Sequence, residues 1–185
     1  MVTGAEMLSV AAFLQGRHAQ AFPSFGSERT GAPVVAFCRI DDKQIRLREP
    51  IMEPDALIIQ DPTLLHQVEV FSGLKHRDGY ILINTSRSFD ELGISEFVSD
   101  FRPERLCTVP ATELALKHFG RPLPNAALLG GFAAVTGLLG LDSVAAAIRD
   151  RFSGRVADGN VAAATAAYEI VKHEMKETAH HAQAD

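Results

Sequence analysis

The densest set of groups able to meet a charged ligand is the run Ser24-Phe25-Gly26-Ser27-Glu28-Arg29-Thr30-Gly31-Ala32-Pro33. Its glycines let a backbone approach a ligand closely, because no Cβ stands in the way. Its hydroxyls, its backbone N–H groups and the Arg29 guanidinium suit a phosphate or a carboxylate. The same composition also makes a surface turn in which Glu28 and Arg29 are simply solvated. The residues alone leave both readings open.

Asp61, Asn84 and Thr85 form a second candidate set, at the ends of two apolar runs that read as buried strands. Open α/β sheets take ligands at the C-terminal ends of their strands, so these side chains are placed to touch a ligand or a partner. Helix capping and turn chemistry explain the same residues and are the favoured reading of the residues alone. Arg46 and Arg48 share a face of one expected strand, and with Arg39 they would make a small basic patch or merely the wet side of a hairpin. No ordered Ser/His/Asp set with a nucleophile elbow occurs, no phosphate-loop lysine motif and no HExxH, so no catalytic acid or base is assigned.

Metal chemistry finds little to work with. Cys38 and Cys107 are the only cysteines, and both sit in apolar, strand-like runs that suit buried reduced thiols. An iron–sulfur cluster needs about four thiolates, so this chain cannot hold one by itself. His180-His181 near the C-terminus lacks a cysteine or carboxylate partner at ligand spacing.

The elements that must position these groups follow from hydropathy patterning. Residues 4–16 read as a helix with an apolar face of Met7, Leu8, Ala11, Ala12 and Leu14. Residues 22–33 read as a loop. A strand is expected at Val34–Ile40, turning through Asp41-Asp42-Lys43 into a hairpin with Gln44–Arg48. Ala56–Asp61 and Tyr80–Thr85 read as strands buried on both faces, with a helix from Pro62 to Leu74 between them, capped by Asp61. A further strand at Arg105–Val109 and a helix at 112–118 follow. The last third reads as helical, with Asn125, Asp142 and Asn160 as N-caps of helices ending near Leu139, Phe152 and Lys176. The expected fold class is α/β: a three-layer mixed sheet with parallel central strands, an added antiparallel hairpin and a helical C-terminal third. Residues 1–178 form a single domain in this reading, and 179–185 a frayed tail.

Composition sets outer limits. A chain of 185 residues, 46% hydrophobic and 22% charged, suits one globular domain. A net charge of −5 argues against a nucleic-acid binder, which needs a basic face. The apolar segment 125–141 carries Asn125, Thr136 and several glycines, so a buried helix is expected there and no membrane span. No export signal is read at the N-terminus, and the expected location is cytoplasmic.

The same segments, in order, resemble the gamma subunit of the pyruvate and related 2-oxoacid:ferredoxin (acceptor) oxidoreductases. The matching motifs begin with Ala19-Gln20-Ala21-Phe22-Pro23 and Phe25-Gly26-Ser27-Glu28-Arg29-Thr30-Gly31-Ala32-Pro33. Ile45–Arg48, Glu53-Pro54-Asp55, Asp61–Leu65, Ile83-Asn84-Thr85 and Arg121–Asn125 follow, with Leu128-Leu129-Gly130 after them. The likeness extends to about Val171. One departure stands out: Met1-Val2-Thr3 falls where the family's Gly-x-Gly-Gly-x-Gly turn would end. A sheet without the strand before that turn would carry an unpaired edge or a gap.

The resemblance implies a complex that oxidatively decarboxylates a 2-oxoacid on thiamine pyrophosphate with Mg2+. The acyl group passes to coenzyme A, and electrons pass through [4Fe-4S] clusters to ferredoxin or an NAD-linked acceptor. Thiamine and clusters are held by alpha-, beta- and delta-type subunits, and this chain packs on them near the coenzyme A approach. Ser24, Phe25, Gly26, Ser27, Glu28, Arg29 and Gly31 would then touch coenzyme A or line the subunit interface. A scaffold subunit that touches no substrate, or a stand-alone nucleotide-binding α/β protein, are the rival readings.

Overall fold

The structure, a computed structural model, describes residues 2–24, 33–66 and 69–182. Helix α1 (Val2–Leu14) turns Met7, Leu8, Ala11 and Ala12 inward. It ends at Gly16, whose φ of 83° lies in the left-handed region. There the Gly16 N–H donates to the Phe13 carbonyl at 2.9 Å, and the Arg17 N–H to that of Ala12 at 3.0 Å.

The hairpin differs from expectation. Strand β2 (Val35–Asp41) pairs antiparallel with β1 (His18–Ser24), which precedes it, and not with 44–48. The register sets Gln20 opposite Arg39 and Phe22 opposite Phe37. Pro23 and the alanines disguise β1 as a loop. A proline fits here because β1 pairs on one side only, where a missing N–H is tolerated. Residues 44–48 gain nothing from pairing: Leu47 stays 60% exposed, so no buried face rewards a ladder.

Strands β3 (Ala56–Ile59), β4 (Tyr80–Asn84) and β5 (Leu106–Val109) form a parallel sheet in the order β3-β4-β5. The α/β class with parallel strands, an antiparallel hairpin and a helical last third is therefore the observed one. The hairpin forms a ladder of its own, separate from the parallel sheet. Central β4 is buried on both sides: Leu82 faces one core, and Ile81 and Ile83 the other. Burying each such side chain stabilises the fold by about 1.5–3 kcal/mol. At the sheet edge, β3 is only half-buried except for Ile59, contrary to the expectation of two covered faces.

The crossover from β3 to β4 is not the expected α-helix. A 3-10 turn at Pro62–His66 gives way to irregular turns; Gln67 and Val68 lie outside the described residues. Gly73 has φ 78°, outside the right-handed helical region, and a Cβ there would stand 2.0 Å from the Met52 carbonyl oxygen, so only glycine fits this turn. Short helix α2 (Ser95–Val98) and its flanking turns bring Leu92, Ile94, Val98 and Phe101 over Ile81 and Ile83.

Helices α3 (Ala111–Phe119), α4 (Asn125–Thr136), α5 (Leu141–Arg151) and α6 (Gly154–Ala182) complete the chain. Every residue of α4 from Ala126 to Val135 is buried. Its small side chains let neighbours come close: a Cβ on Gly130 would stand 2.0 Å from the Ala164 carbonyl oxygen of α6. The three expected N-caps are corrected. Asn125 is the first residue of α4 after Pro124 and makes no cap bond. Asp142 lies inside the first turn of α5, where it favours the positive end of the helix dipole. Asn160 is buried within α6 and donates to the Val156 carbonyl at 2.8 Å. Apolar residues on both sides of Asn160 carry the helix straight through it. Helix α6 continues to Ala182, through part of the stretch expected to fray. Residues 183–185 lie outside the described residues. Among the described residues, no helix is long and apolar enough to cross a membrane.

Candidate functional site

A cleft of about 610 Å3 opens at the C-terminal ends of the parallel strands. Gln60 and Asp61 come from the end of β3, Asn84, Thr85 and Ser86 from the end of β4, and Thr112 and Glu113 from the start of α3. Pro33 and Val34, just before β2, form part of its wall. The topology explains this convergence: parallel strands all deliver their C-terminal ends to one side of the sheet.

The structure brings Asp61, Asn84 and Thr85 together, as their strand-end positions predict. Each of the three side chains makes hydrogen bonds within the chain. Exposed Asp61 accepts at Oδ1 from the Thr63 N–H (2.9 Å) and the Thr63 hydroxyl (2.7 Å), holding the 3-10 turn. Asn84 is only 9% exposed. Its Nδ2 donates to the Gln60 carbonyl at 2.9 Å and to Thr112 Oγ1 at 2.8 Å, and its Oδ1 accepts from the Thr112 N–H at 3.1 Å. Asn84 thus caps α3 from the next strand, where Pro110 offers no side-chain cap. The Thr85 N–H donates to the Val109 carbonyl at 2.9 Å, and its Oγ1 accepts from the Arg87 N–H at 3.1 Å.

Among the described residues, one buried side-chain polar atom of the wall is unanswered. Gln60 Oε1 is buried and accepts no hydrogen bond. Sequence reasoning did not single out Gln60, Thr112 or Glu113. The available signal was their place directly after apolar runs that end at Ile59 and Val109.

Phe25, Gly26, Ser27, Glu28, Arg29 and Gly31 lie outside the described residues. Both anchors of their segment are described. Half-buried Ser24 pairs with Val35 at the end of the hairpin, and Pro33 and Val34 reach the cleft. Arg46 and Arg48 are exposed in a segment without regular structure, so no strand holds them on a shared face with Arg39. This corrects the expected basic patch, whose geometry required the hairpin at 44–48.

The thiols are placed for inertness. Burial alone pushes the Cys38 thiol up to about 12. Burial, helped by the charge of Glu174, pushes Cys107 well above the usual thiol range. Among the described residues, no three His, Cys, Asp or Glu side chains group as a metal site.

Comparison with known proteins gives this arrangement its context. Residues 1–170 match the sequence profile of the family described as pyruvate ferredoxin/flavodoxin oxidoreductase. The chain is 46% identical over 168 residues to the pyruvate/ketoisovalerate oxidoreductases common subunit gamma of Pyrococcus abyssi, covering 91% of this chain and 89% of that one. It is 45% identical over 172 residues to pyruvate synthase subunit PorC of Methanothermobacter marburgensis, covering 93% and 91%. The crystal structure of pyruvate oxidoreductase subunit PORC from Thermotoga maritima superposes with a TM-score of 0.73 at 34% identity, covering 91% of this chain and 88% of that one. The ordered motifs from Ala19 to Gly130 are thus those of a true relative, and the chain belongs to the pyruvate ferredoxin/flavodoxin oxidoreductase family as a gamma-type subunit.

Proposed function

We propose that this chain is the gamma subunit of a cytoplasmic, thiamine-dependent enzyme that oxidatively decarboxylates a 2-oxoacid to an acyl-coenzyme A. It packs on alpha-, beta- and delta-type subunits near the coenzyme A approach, and residues 24–33 face that approach. The observation that carries this reading is the anchoring of that segment. Ser24 closes the hairpin ladder, and Pro33 and Val34 form part of the wall of the strand-end cleft, so the Gly/hydroxyl/Arg run joins the end of the hairpin to the cleft wall. Arg29 suits a phosphate of coenzyme A, because a guanidinium pairs with phosphate oxygens through two parallel donors.

The chemistry of decarboxylation belongs to other chains. Two cysteines fall short of the roughly four thiolates that a [4Fe-4S] cluster takes, so the electron path runs through partner subunits toward ferredoxin or an NAD-linked acceptor. The thiols here are held neutral by burial, which suits packing and not ligation. Thiamine pyrophosphate and its Mg2+ belong with the alpha- and beta-type subunits. Choice of 2-oxoacid is made where thiamine sits.

A scaffold role without substrate contact is favoured by one observation. Asp61, Asn84 and Thr85 direct their polar atoms into internal hydrogen bonds. Arg29→Ala in the assembled enzyme separates the two readings. A raised KM for coenzyme A with intact assembly supports contact with the substrate; an unchanged KM with weakened assembly supports the scaffold. Native pull-down of the chain, with partner identification and assays for iron and thiamine, tests the whole proposal. A chain that runs alone, with neither partner nor cofactor, overturns it.

A further inference from the structure

Gln44-Ile45-Arg46-Leu47-Arg48 alternates polar and apolar residues as a strand does, yet it belongs to neither sheet. The chain runs without a turn or bend from Gln44 to Arg48. Among the described residues, no backbone N–H or carbonyl of 44–53 takes part in a backbone hydrogen bond. Arg46, Leu47, Arg48, Glu49 and Pro50 are all exposed, Leu47 to 60%. Among the described residues, no carboxylate pairs with either arginine.

The segment is held at both ends. Before it, Asp41 accepts from the Lys43 N–H at 3.0 Å, and Asp42 from Arg17 at 2.9 Å. After it, the Pro54 carbonyl accepts from the Lys75 N–H at 3.3 Å, and the Asp55 carbonyl from the Tyr80 N–H at 2.9 Å. Much of the ordering that binding would demand is therefore in place beforehand. The same anchors fix where the segment lies. Strand β2 starts beside Val34 in the cleft wall and runs away from it to Asp41. Strand β3 runs from Ala56 toward Gln60 and Asp61 in that wall. Residues 42–55 thus join the strand ends remote from the cleft. Residues 25–32, outside the described residues, connect the hairpin at its opposite end, roughly 20 Å away along β2.

We infer, on the multi-subunit reading proposed above, that Gln44–Arg48 is a docking strand for another subunit of the enzyme. An extended acidic segment of that subunit pairs with it main chain to main chain, with carboxylates beside Arg46 and Arg48 and an apolar side chain against Leu47. An exposed straight segment with unpaired backbone groups is a template for such strand addition. Arg46 and Arg48 share one side of it, about 7 Å apart, since alternate residues of an extended chain point the same way. Carboxylates two residues apart on a facing strand match that spacing, and opposite charges across a ladder attract. Half-buried Ile45 turns the other side toward the body, where Leu47 still overhangs into water. A partner strand would complete its cover. A second copy of this chain fits badly. Antiparallel self-pairing centred on Leu47 sets Arg46 opposite Arg48, and like charges there repel.

The test uses the chain expressed together with its partner subunits. In the free chain the amides of 44–49 are expected to exchange hydrogen at close to the unprotected rate, and in the complex at least about tenfold more slowly. Arg46→Ala with Arg48→Ala is expected to lower partner retention about tenfold, since two cross-strand ion pairs are lost. The Tm of that free chain is expected to match wild type, because both side chains are exposed. Successive N–H groups of a strand point to opposite edges. A ladder therefore makes only one of Arg46→Pro and Leu47→Pro much worse than alanine at the same position. Unchanged exchange of 44–49 in the complex overturns the inference, as does a double-alanine chain that retains partners like wild type. Prolines tolerated at both positions overturn the strand pairing. A free chain that dimerises with the same protection assigns the segment to a second copy and overturns the inference too. Should a variant fail a circular dichroism check of folding, the wild-type exchange result decides. A wild-type chain that retains no partner overturns the multi-subunit reading itself, and with it this inference.

Discussion

Asn84 and Thr112 bond to each other twice: Asn84 Nδ2 donates to Thr112 Oγ1 at 2.8 Å, and the Thr112 N–H donates to Asn84 Oδ1 at 3.1 Å. Asn84 also ties down the Gln60 carbonyl, so one side chain joins the ends of β3 and β4 to the start of α3. Asn84→Ala leaves the Thr112 N–H and the Gln60 carbonyl without that partner. The expected cost is about 2 kcal/mol, measured by chemical denaturation. Asn84→Asp keeps the size but sets a carboxylate against the Gln60 carbonyl oxygen, and is expected to cost at least as much. A loss under about 0.5 kcal/mol for both would show that water replaces the network.

The crossing of α4 and α6 depends on Gly130. Its absent Cβ leaves room for the Ala164 carbonyl, which would otherwise lie 2.0 Å away. The obstacle is backbone and cannot rotate aside. Gly130→Ala is expected to cost about 3 kcal/mol or to prevent folding, read as a lower Tm or as loss of expressed chain. A near-wild-type Tm would mean that the helices slide apart at little cost.

Thiol chemistry gives a third check. Both cysteines are shifted upward by burial, Cys38 to about 12. The folded chain is expected to resist maleimide at about pH 8, and to take two labels once unfolded in denaturant. The sign for stability follows: a thiol raised in the folded state contributes fully below the ordinary value of 9.0, and loses that contribution as pH climbs toward its folded value. Alkaline destabilisation that begins above pH 9.0 is therefore expected. Fast labelling of the folded chain would contradict the burial of these groups.

Glu174 on α6 is raised by burial and by the charge of Glu177, against an opposing effect of His173. A carboxyl raised in the folded state stabilises below its ordinary value of 4.5, and that stability is lost as pH rises through the folded value. Glu174→Gln is thus expected to raise the Tm at neutral pH. The gain is under about 1 kcal/mol, since water still reaches the side chain. It is expected to vanish as pH falls below 4.5. A lower Tm at neutral pH would reveal a partner for the carboxylate.

Patterning in the chain determined the central parallel strand, because Ile81-Leu82-Ile83 is too uniformly apolar to face water on either side, whereas β3, equally apolar in sequence, ends half-buried at the sheet edge. It determined α1 and the helical last third by their repeat, and the family by long motifs in fixed order. It also set Asp61, Asn84 and Thr85 at one end of the sheet. Tertiary structure decided what these residues do there. A strand-end asparagine reads alike whether it touches a ligand or a helix, and only the position of Thr112, 28 residues onward, turned Asn84 into a cap. The pairing of β2 with β1 was decided in the same way. Local alternation favoured Gln44–Arg48, but Ala19, Cys38 and Ile40 could be buried on α1 only if the partner strand came from upstream. Asn160 marks the limit of local signals: alone it reads as a cap, yet apolar packing on both sides carries α6 through it.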